Sequence, residues 1–315
     1  MKISSNQKIL IIKFGGLGDF ILSLSAMYTI KTFYKKSKLV LVTESAYKDI
    51  AERSKWFEEI IIIKRSMFYF LDKLKLKKKL NTREFVNVYD LQTSKRSTSY
   101  GDLFDGKITK WSGILRDSVY FHLNPKRDTM HTIDRQKEQL KIANIKKFSK
   151  FDENWIFDDK FKHNFKKKRF VILVVGGSAR RKNKRIPFNV FVEIAKKLFK
   201  KNIDSIIVGG NDELELCQEI KKKFPYIINL CGKLDVYKLA SLSRDSLCIV
   251  GNDTGPMHVC ALAKKKLVVF FTKFSNPKLC APVGSHVTVL NYNNECFQLV
   301  KKTLSIILEK KTITF

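Results

Sequence analysis

Short apolar runs that stop at a glycine or polar turn, each followed by helical spacing, recur along most of this 315-residue chain. Lys8-Ile9-Leu10-Ile11-Ile12-Lys13 stops at Gly15-Gly16, and apolar residues then fall at 20, 21, 24, 27, 28 and 30. Runs at 39–43, 59–64 and 85–91 follow, separated by helix-like segments at 46–54 and 68–80. A strand covered on both faces needs a continuous apolar run, whereas a helix covering it needs only a stripe. Strands alternating with such helices predict a parallel sheet with helices on both faces.

The alternation lapses near 150–169, where an aromatic, acidic stretch gives way to a basic one, and a second series then begins. Its strands are expected at 169–175, 205–208, 227–230, 246–251 and 267–271, with helices at 190–201, 212–224, 236–242 and 295–309. The predicted organisation is α/β: two doubly wound, Rossmann-like parallel-sheet domains at 1–155 and 168–292, facing across a cleft. A closing helix within 293–315 is expected to pack back across the interdomain region. Ligands of such sheets bind beyond the carboxyl ends of the strands, where the glycine turns lie.

Composition narrows the function classes. The longest apolar runs have strand length, so no spanning helix is expected, and the N-terminus lacks the plan of a signal peptide. The six cysteines show no C-x-x-C spacing and most lie in apolar runs, which reads as buried free thiols in a reducing cytosol. The net charge of +31 implies an anionic partner. Its lysine clusters (75–79, 166–168, 196–201, 221–223, 264–266) are scattered, and no nucleic-acid-binding motif accompanies them.

Three turns carry chemistry. Asn252-Asp253-Thr254-Gly255-Pro256-Met257-His258 sits between a strand and a helix start, the arrangement that offers backbone N–H groups to a diphosphate. Asp253 and His258 add two titratable groups. Gly15-Gly16-Leu17-Gly18-Asp19 closes the first strand, with Ile21 where a dinucleotide fingerprint needs its third glycine. Asp19 reads as a helix N-cap or as a general base. Gly176-Gly177-Ser178 precedes Arg180-Arg181-Lys182-Asn183-Lys184-Arg185, and Pro187 then suits the first position of a helix. One cation of that run, Lys182, Lys184 or Arg185, can neutralise a leaving diphosphate, a task that otherwise falls to a metal. No D-x-D stands at a strand end and no His/Cys cluster has ligand spacing, so neither metal nor cofactor is expected.

Together these turns resemble glycosyltransferase family 9, the ADP-heptose:lipopolysaccharide heptosyltransferases. The resemblance is carried by 9–19, ending in Gly16-Leu17-Gly18-Asp19; by Asp90-Leu91-Gln92; by His131-Thr132-Ile133-Asp134-Arg135; by Gly209-Gly210-Asn211-Asp212-Glu213 and Gly232-Lys233-Leu234; and by Gly251-Asn252-Asp253-Thr254-Gly255-Pro256-Met257-His258. It implies a GT-B fold with the acceptor on the N-terminal domain and a nucleotide sugar on the C-terminal one. Asp19 would deprotonate the acceptor hydroxyl and Lys184 would neutralise the diphosphate in an inverting, metal-independent displacement. Gly18, Ser178, Glu213, Leu234, Asp253, Thr254, Gly255, Pro256, Met257 and His258 would line the donor. Among these, Glu213 would meet the ribose (with Asp212 and Glu215 as neighbours able to take its place), Leu234 the adenine and Asp253 the transferred sugar.

The resulting expectation is a heptose transferred from ADP-heptose to a lipopolysaccharide inner-core acceptor, by a cytoplasmic enzyme peripheral to the inner face of a bacterial inner membrane. Its partners would be the nucleotide-sugar donor, a lipid-linked saccharide acceptor and an anionic membrane surface, with no nucleic acid. The alternatives are a family 9 transferase using another nucleotide sugar or acceptor, and a basic nucleic-acid-binding protein.

Overall fold

The computed structural model describes residues 7–64, 68–80, 82–104, 109–165, 169–177 and 179–309. Ser178 and the lysines at 166–168 lie outside the described residues, as does the side chain of Lys182. The chain divides into two compact units, Met1–Trp155 and Ile156–Phe315.

In the first unit the strands are β1 (Lys8–Ile12), β2 (Lys38–Glu44), β3 (Glu59–Ile63), β4 (Phe85–Asp90), β5 (Lys110–Gly113) and β6 (Tyr120–Phe121). They form a parallel sheet in the order β3-β2-β1-β4-β5-β6. Its helices are α1 (Leu17–Phe33), α2 (Lys48–Ser54), α3 (Tyr69–Lys79), α4 (Lys95–Thr98) and α5 (Thr132–Ile142). Ile9, Leu10, Ile11 and Ile12 have no exposed surface, as expected of a central strand covered on both faces. The sequence pattern misses β5 and β6: they are short, and Lys110, Ser112 and Gly113 interrupt any apolar run.

The second unit repeats the plan with β7 (Phe170–Val174), β8 (Asp204–Val208), β9 (Ile228–Asn229), β10 (Cys248–Asn252), β11 (Lys266–Phe271) and β12 (Val287–Asn291), in the order β12-β11-β10-β7-β8-β9. Its helices are α6 (Phe188–Phe199), α7 (Leu214–Lys223), α8 (Val236–Asp245), α9 (Gly255–Ala261), α10 (Pro277–Cys280) and α11 (Cys296–Leu308). One core, including Leu173, Phe191, Leu198 and Phe270, fills one side of the sheet, and another, including Ile172, Ile206, Met257 and Phe271, fills the other. The closing helix α11 packs on α6 and gives Leu299, Val300 and Ile307 to the first of these cores, so it belongs to the second unit.

Numbered within its own unit, each sheet has the doubly wound order 3-2-1-4-5-6. The order reverses between the first and fourth strands, β1 and β4 in one unit and β7 and β10 in the other. A crevice opens at the carboxyl end of each such pair. The motifs singled out in the sequence end up at these two places.

Candidate functional site

At the β1/β4 switch point the chain turns through Gly15 and Gly16, with φ of 78° and 71°. Gly16 caps α1, and Asp19 stands at its third position, correcting the expectation that Asp19 is the N-cap. The aspartate reaches back over the cap: a Cβ on Gly16 would lie 2.7 Å from Asp19 Oδ2. Only glycine satisfies both the left-handed backbone and that contact. The Asp19 side chain is otherwise exposed.

Two N–H groups leading into this turn are already engaged. Phe14 N donates to Gln92 Oε1 at 3.2 Å and Gly15 N to Glu44 Oε2 at 3.0 Å. The Asp90-Leu91-Gln92 segment thereby gains a purpose. Asp90 accepts from Gln92 N, Thr93 N and Ser97 Oγ at 3.0, 2.8 and 2.9 Å, holding the β4 end that positions Gln92. Burial pushes Asp90 up to about 6, against these hydrogen bonds. Burial also pulls Lys13 down to about 8, opposed by the nearby Asp19 carboxylate and reinforced by Arg135.

His131 caps α5, its Nδ1 accepting from Ile133 N at 3.2 Å. Gln136 bonds to Ser23 of α1, and Gln139 reaches the Asp90 and Ser112 carbonyls. The helix is thus stitched to the switch point and brings Arg135 within electrostatic reach of Lys13. Arg127 adds a third cation. It is 8% exposed, and its Nε and Nη2 find no hydrogen-bond partner among the described residues.

At the β7/β10 switch point the arrangement is tighter. Asn252, wholly buried, donates to the Val175 and Gly176 carbonyls at 2.8 and 3.2 Å and accepts from Ile186 N at 3.2 Å. Thr272 Oγ1 donates to the Asn183 carbonyl at 3.1 Å. Lys184 is therefore held by anchors on either side. Its Nζ meets Asp253 Oδ2 at 2.6 Å, with the two side chains 15% and 5% exposed.

Arg185 points elsewhere: its guanidinium bonds to the Gly177 carbonyl and, at 3.0 Å, to Glu213 Oε1. Of the described side chains in the basic run, Lys184 is the one beside Asp253. Glu213 also accepts from Gly210 N at 2.8 Å and lies in a glycine cradle, where a Cβ on Gly176 would sit 2.6 Å from its carboxyl carbon. Gly176 thus makes room for a glutamate of its own chain. No local pattern signals this, because the partner lies 37 residues further on.

Thr254 caps α9, and Pro256 follows near its start. His258 is 5% exposed, and Met257 is fully buried in the core behind the turn, so a ligand could meet Met257 only through its backbone. Leu234 is half-buried against the same core. Gly18 lies in the first unit, apart in the chain from the rest of the expected donor set. Pro187 is the N-cap of α6 and not its first residue, a shift of one position. A cavity of about 630 Å³ adjoins this segment, lined by Ile186, Phe188, Leu216, Phe274 and Tyr292 among others. Glu213, Asp253 and His258 are not in its lining, so it is a neighbouring hollow and not the expected donor position. Among the described residues no three His, Cys, Asp or Glu side chains gather as metal ligands, and no helix is long and apolar enough to cross a membrane.

Comparison with known proteins agrees with this architecture. Lipooligosaccharide heptosyltransferase 2 of Campylobacter jejuni is 27% identical over 275 residues, covering 82% of this chain and 79% of the relative. The crystal structure of a family 9 glycosyltransferase from Veillonella parvula aligns at a TM-score of 0.73 and 19% identity, over 97% of this chain and 90% of that one. The E. coli heptosyltransferase WaaC with ADP aligns at 0.75 and 17%, over 96% and 99%. These likenesses identify the shared fold, and the sequence model of glycosyltransferase family 9 (heptosyltransferase) matches residues 73–307. The chain belongs to glycosyltransferase family 9, the heptosyltransferase family.

Proposed function

We propose that this protein transfers a heptose from ADP-heptose to an inner-core lipopolysaccharide acceptor, by an inverting displacement that needs no metal ion. The observation that carries the reading is the Lys184–Asp253 contact of 2.6 Å at the β7/β10 switch point. An ammonium has three donors. Asp253 takes one, leaving two for the oxygens of a departing diphosphate. Asp253, Thr254, Gly255 and His258 supply the rest of the donor side, with Glu213 on the ribose and Leu234 beside the base.

Asp19, exposed at the start of α1, serves as the base that takes the acceptor hydroxyl proton. Lys13, Arg127 and Arg135 give the first unit a cationic environment suited to an acidic acceptor, and the buried, unpartnered edge of Arg127 favours an oxyanion. WaaC has been captured with ADP and with ADP-2-deoxy-2-fluoro heptose, which supports an adenine nucleotide donor. A lipid-linked acceptor would place the enzyme at the cytoplasmic face of the inner membrane, where the +31 charge favours anionic lipid.

The test is transfer from ADP-heptose to a core acceptor, with and without chelator. Activity should survive chelation, and Lys184→Ala should lower kcat by about 10²–10³. Loss of turnover on chelation would overturn the metal-free displacement. Absence of turnover with any ADP-sugar would overturn the donor, and preference for another nucleotide sugar would move the specificity within the family.

A further inference from the structure

Helix α3 presents large apolar side chains to water. Phe70 is 59% exposed, Leu74 54% and Leu71 37%, and Phe68, immediately before the helix, is 58% exposed. The rings of Phe68 and Phe70 meet edge to face at 6.2 Å. Their outward direction is fixed by what anchors the opposite stripe. Leu76 and Leu80 are buried in the core of the first unit, and buried Asp72 pairs with Arg96 at 3.1 Å. Lys73 pairs with Asp102. Positions 72, 76 and 80 lie one above another on a helix, so 70, 71, 74, 75, 77 and 78 are turned away from the sheet.

The exposed face is also basic. Lys75, Lys77 and Lys78 stand in water and make no ion pair among the described residues. Phenylalanine and leucine beside unpaired lysines are what the boundary of an anionic bilayer accommodates: the rings and aliphatic chains enter the acyl region, and the ammonium groups stay among phosphates. A nucleic acid would use the lysines and could stack on an aromatic ring, but it gives Leu71 and Leu74 no comparable burial.

We propose that α3, together with Phe68, is the surface by which this protein docks on an anionic lipid bilayer, with Phe70, Leu71 and Leu74 inserted and Lys75, Lys77 and Lys78 on the headgroups. The inference rests on the reading that the acceptor is lipid-linked, and it adds the part of the chain that meets the membrane.

The experiment is co-sedimentation of the full chain with vesicles of phosphatidylcholine and phosphatidylglycerol in equal parts, against phosphatidylcholine alone. Binding to the anionic vesicles should be stronger by about 10-fold or more, since each lysine near the surface contributes about fivefold. Phe70→Ser with Leu74→Ser should weaken it by at least about 10-fold, since even partial burial of two large apolar side chains contributes more than that. Lys75→Glu with Lys77→Glu and Lys78→Glu should weaken it at least as much. The substituted side chains lie in water, so thermal unfolding midpoints should match the unaltered protein. Phe70→Trp, which keeps the apolar bulk, should add a fluorescence component that shifts to the blue with the anionic vesicles.

Equal binding to both vesicle types, undiminished binding by the Phe70→Ser, Leu74→Ser protein, or no blue shift at position 70 would each overturn the proposal. So would capture of single-stranded RNA, with no vesicle binding, that the same pair of substitutions abolishes. The ADP-induced rise in melting temperature is read on the same preparations. Its absence would count against the transferase reading and leave the vesicle result standing.

Discussion

Asn252 is where the β7/β10 switch point is held together. One buried amide satisfies the Val175 and Gly176 carbonyls and the Ile186 N–H, so three backbone groups from two segments depend on it. Asn252→Leu keeps the bulk and leaves all three unsatisfied in a dry site, which should cost about 3 kcal/mol. Urea unfolding of the two proteins measures that loss, and a difference near zero would show that the brace is dispensable. Asp90 makes a second prediction, in pH. Its carboxyl, near 3.8 ordinarily, stands at about 6 in the folded chain because it is buried. A raised carboxyl binds its proton more tightly folded than unfolded, so its contribution to stability is full below about 4 and is lost as pH rises through about 6. The integrated change is about 3 kcal/mol. Asp90→Asn retains an oxygen for Gln92 N and Thr93 N and has no such titration. Relative to the unaltered protein, it should therefore gain stability between pH 4 and pH 6.5, measured by urea unfolding at both. A constant difference would refute the assignment.

At the scale of elements, glycines divide into those that serve the fold and those that serve the site. A Cβ on Gly251, inside β10, would lie 2.7 Å from both Met257 Sδ and Val174 Cβ and 2.8 Å from the Val174 carbonyl oxygen. Neither a packed core nor a neighbouring strand can yield there. The atoms nearest a Cβ on Gly176 are Cγ, Cδ and Oε1 of the Glu213 side chain, which can swing aside. Gly251→Ala should cost about 3 kcal/mol or more, or prevent folding, whereas Gly176→Ala should fold and lose about 10-fold in ADP affinity. Thermal melts with and without ADP separate the two, and a Gly176→Ala protein with full ADP affinity would remove Glu213 from the site. This contrast also bounds what the sequence made legible. The central strands were plain in the runs Ile9-Leu10-Ile11-Ile12 and Phe170-Val171-Ile172-Leu173-Val174, because burial on both faces leaves a continuous apolar signal. Edge strands β6 and β12 were not, since half-covered residues such as Tyr120 and Thr288 carry no such constraint. At the β7/β10 switch point, the motifs marked turns that come together but not how their charged groups pair. Lys184 pairs with Asp253 and Arg185 with Glu213, and sequence spacing holds no trace of that division. Met257 shares its motif with Asp253 and His258 yet is wholly buried in the core behind the turn.

At the scale of the molecule, the two sheets share one strand order, and each has a switch point and core of its own, so each unit meets the requirements of a folding domain. The residues proposed for the donor, Lys184, Glu213, Leu234, Asp253, Thr254, Gly255, Pro256 and His258, all lie in Ile156–Phe315. That fragment should fold alone and bind ADP. Where it ends decides the outcome. Leu299, Val300 and Ile307 of α11 are 4%, 4% and 8% exposed and close the core beneath α6. A fragment ending at 292, the boundary that the sequence pattern alone would choose, leaves Val190, Phe191, Ile194 and Leu198 without part of their cover. Three large aliphatic side chains contribute roughly 1.5–3 kcal/mol each on burial. Their sum is comparable to the whole stability of a domain, commonly about 5–15 kcal/mol. Residues 156–315 should therefore give a cooperative melt that ADP moves upward, and residues 156–292 neither melt nor shift. If the shorter fragment folds and binds as well as the longer one, α11 is not part of this unit's core. If the longer one fails to fold, the second sheet depends on the first unit for its stability, and the donor side cannot be studied apart from it.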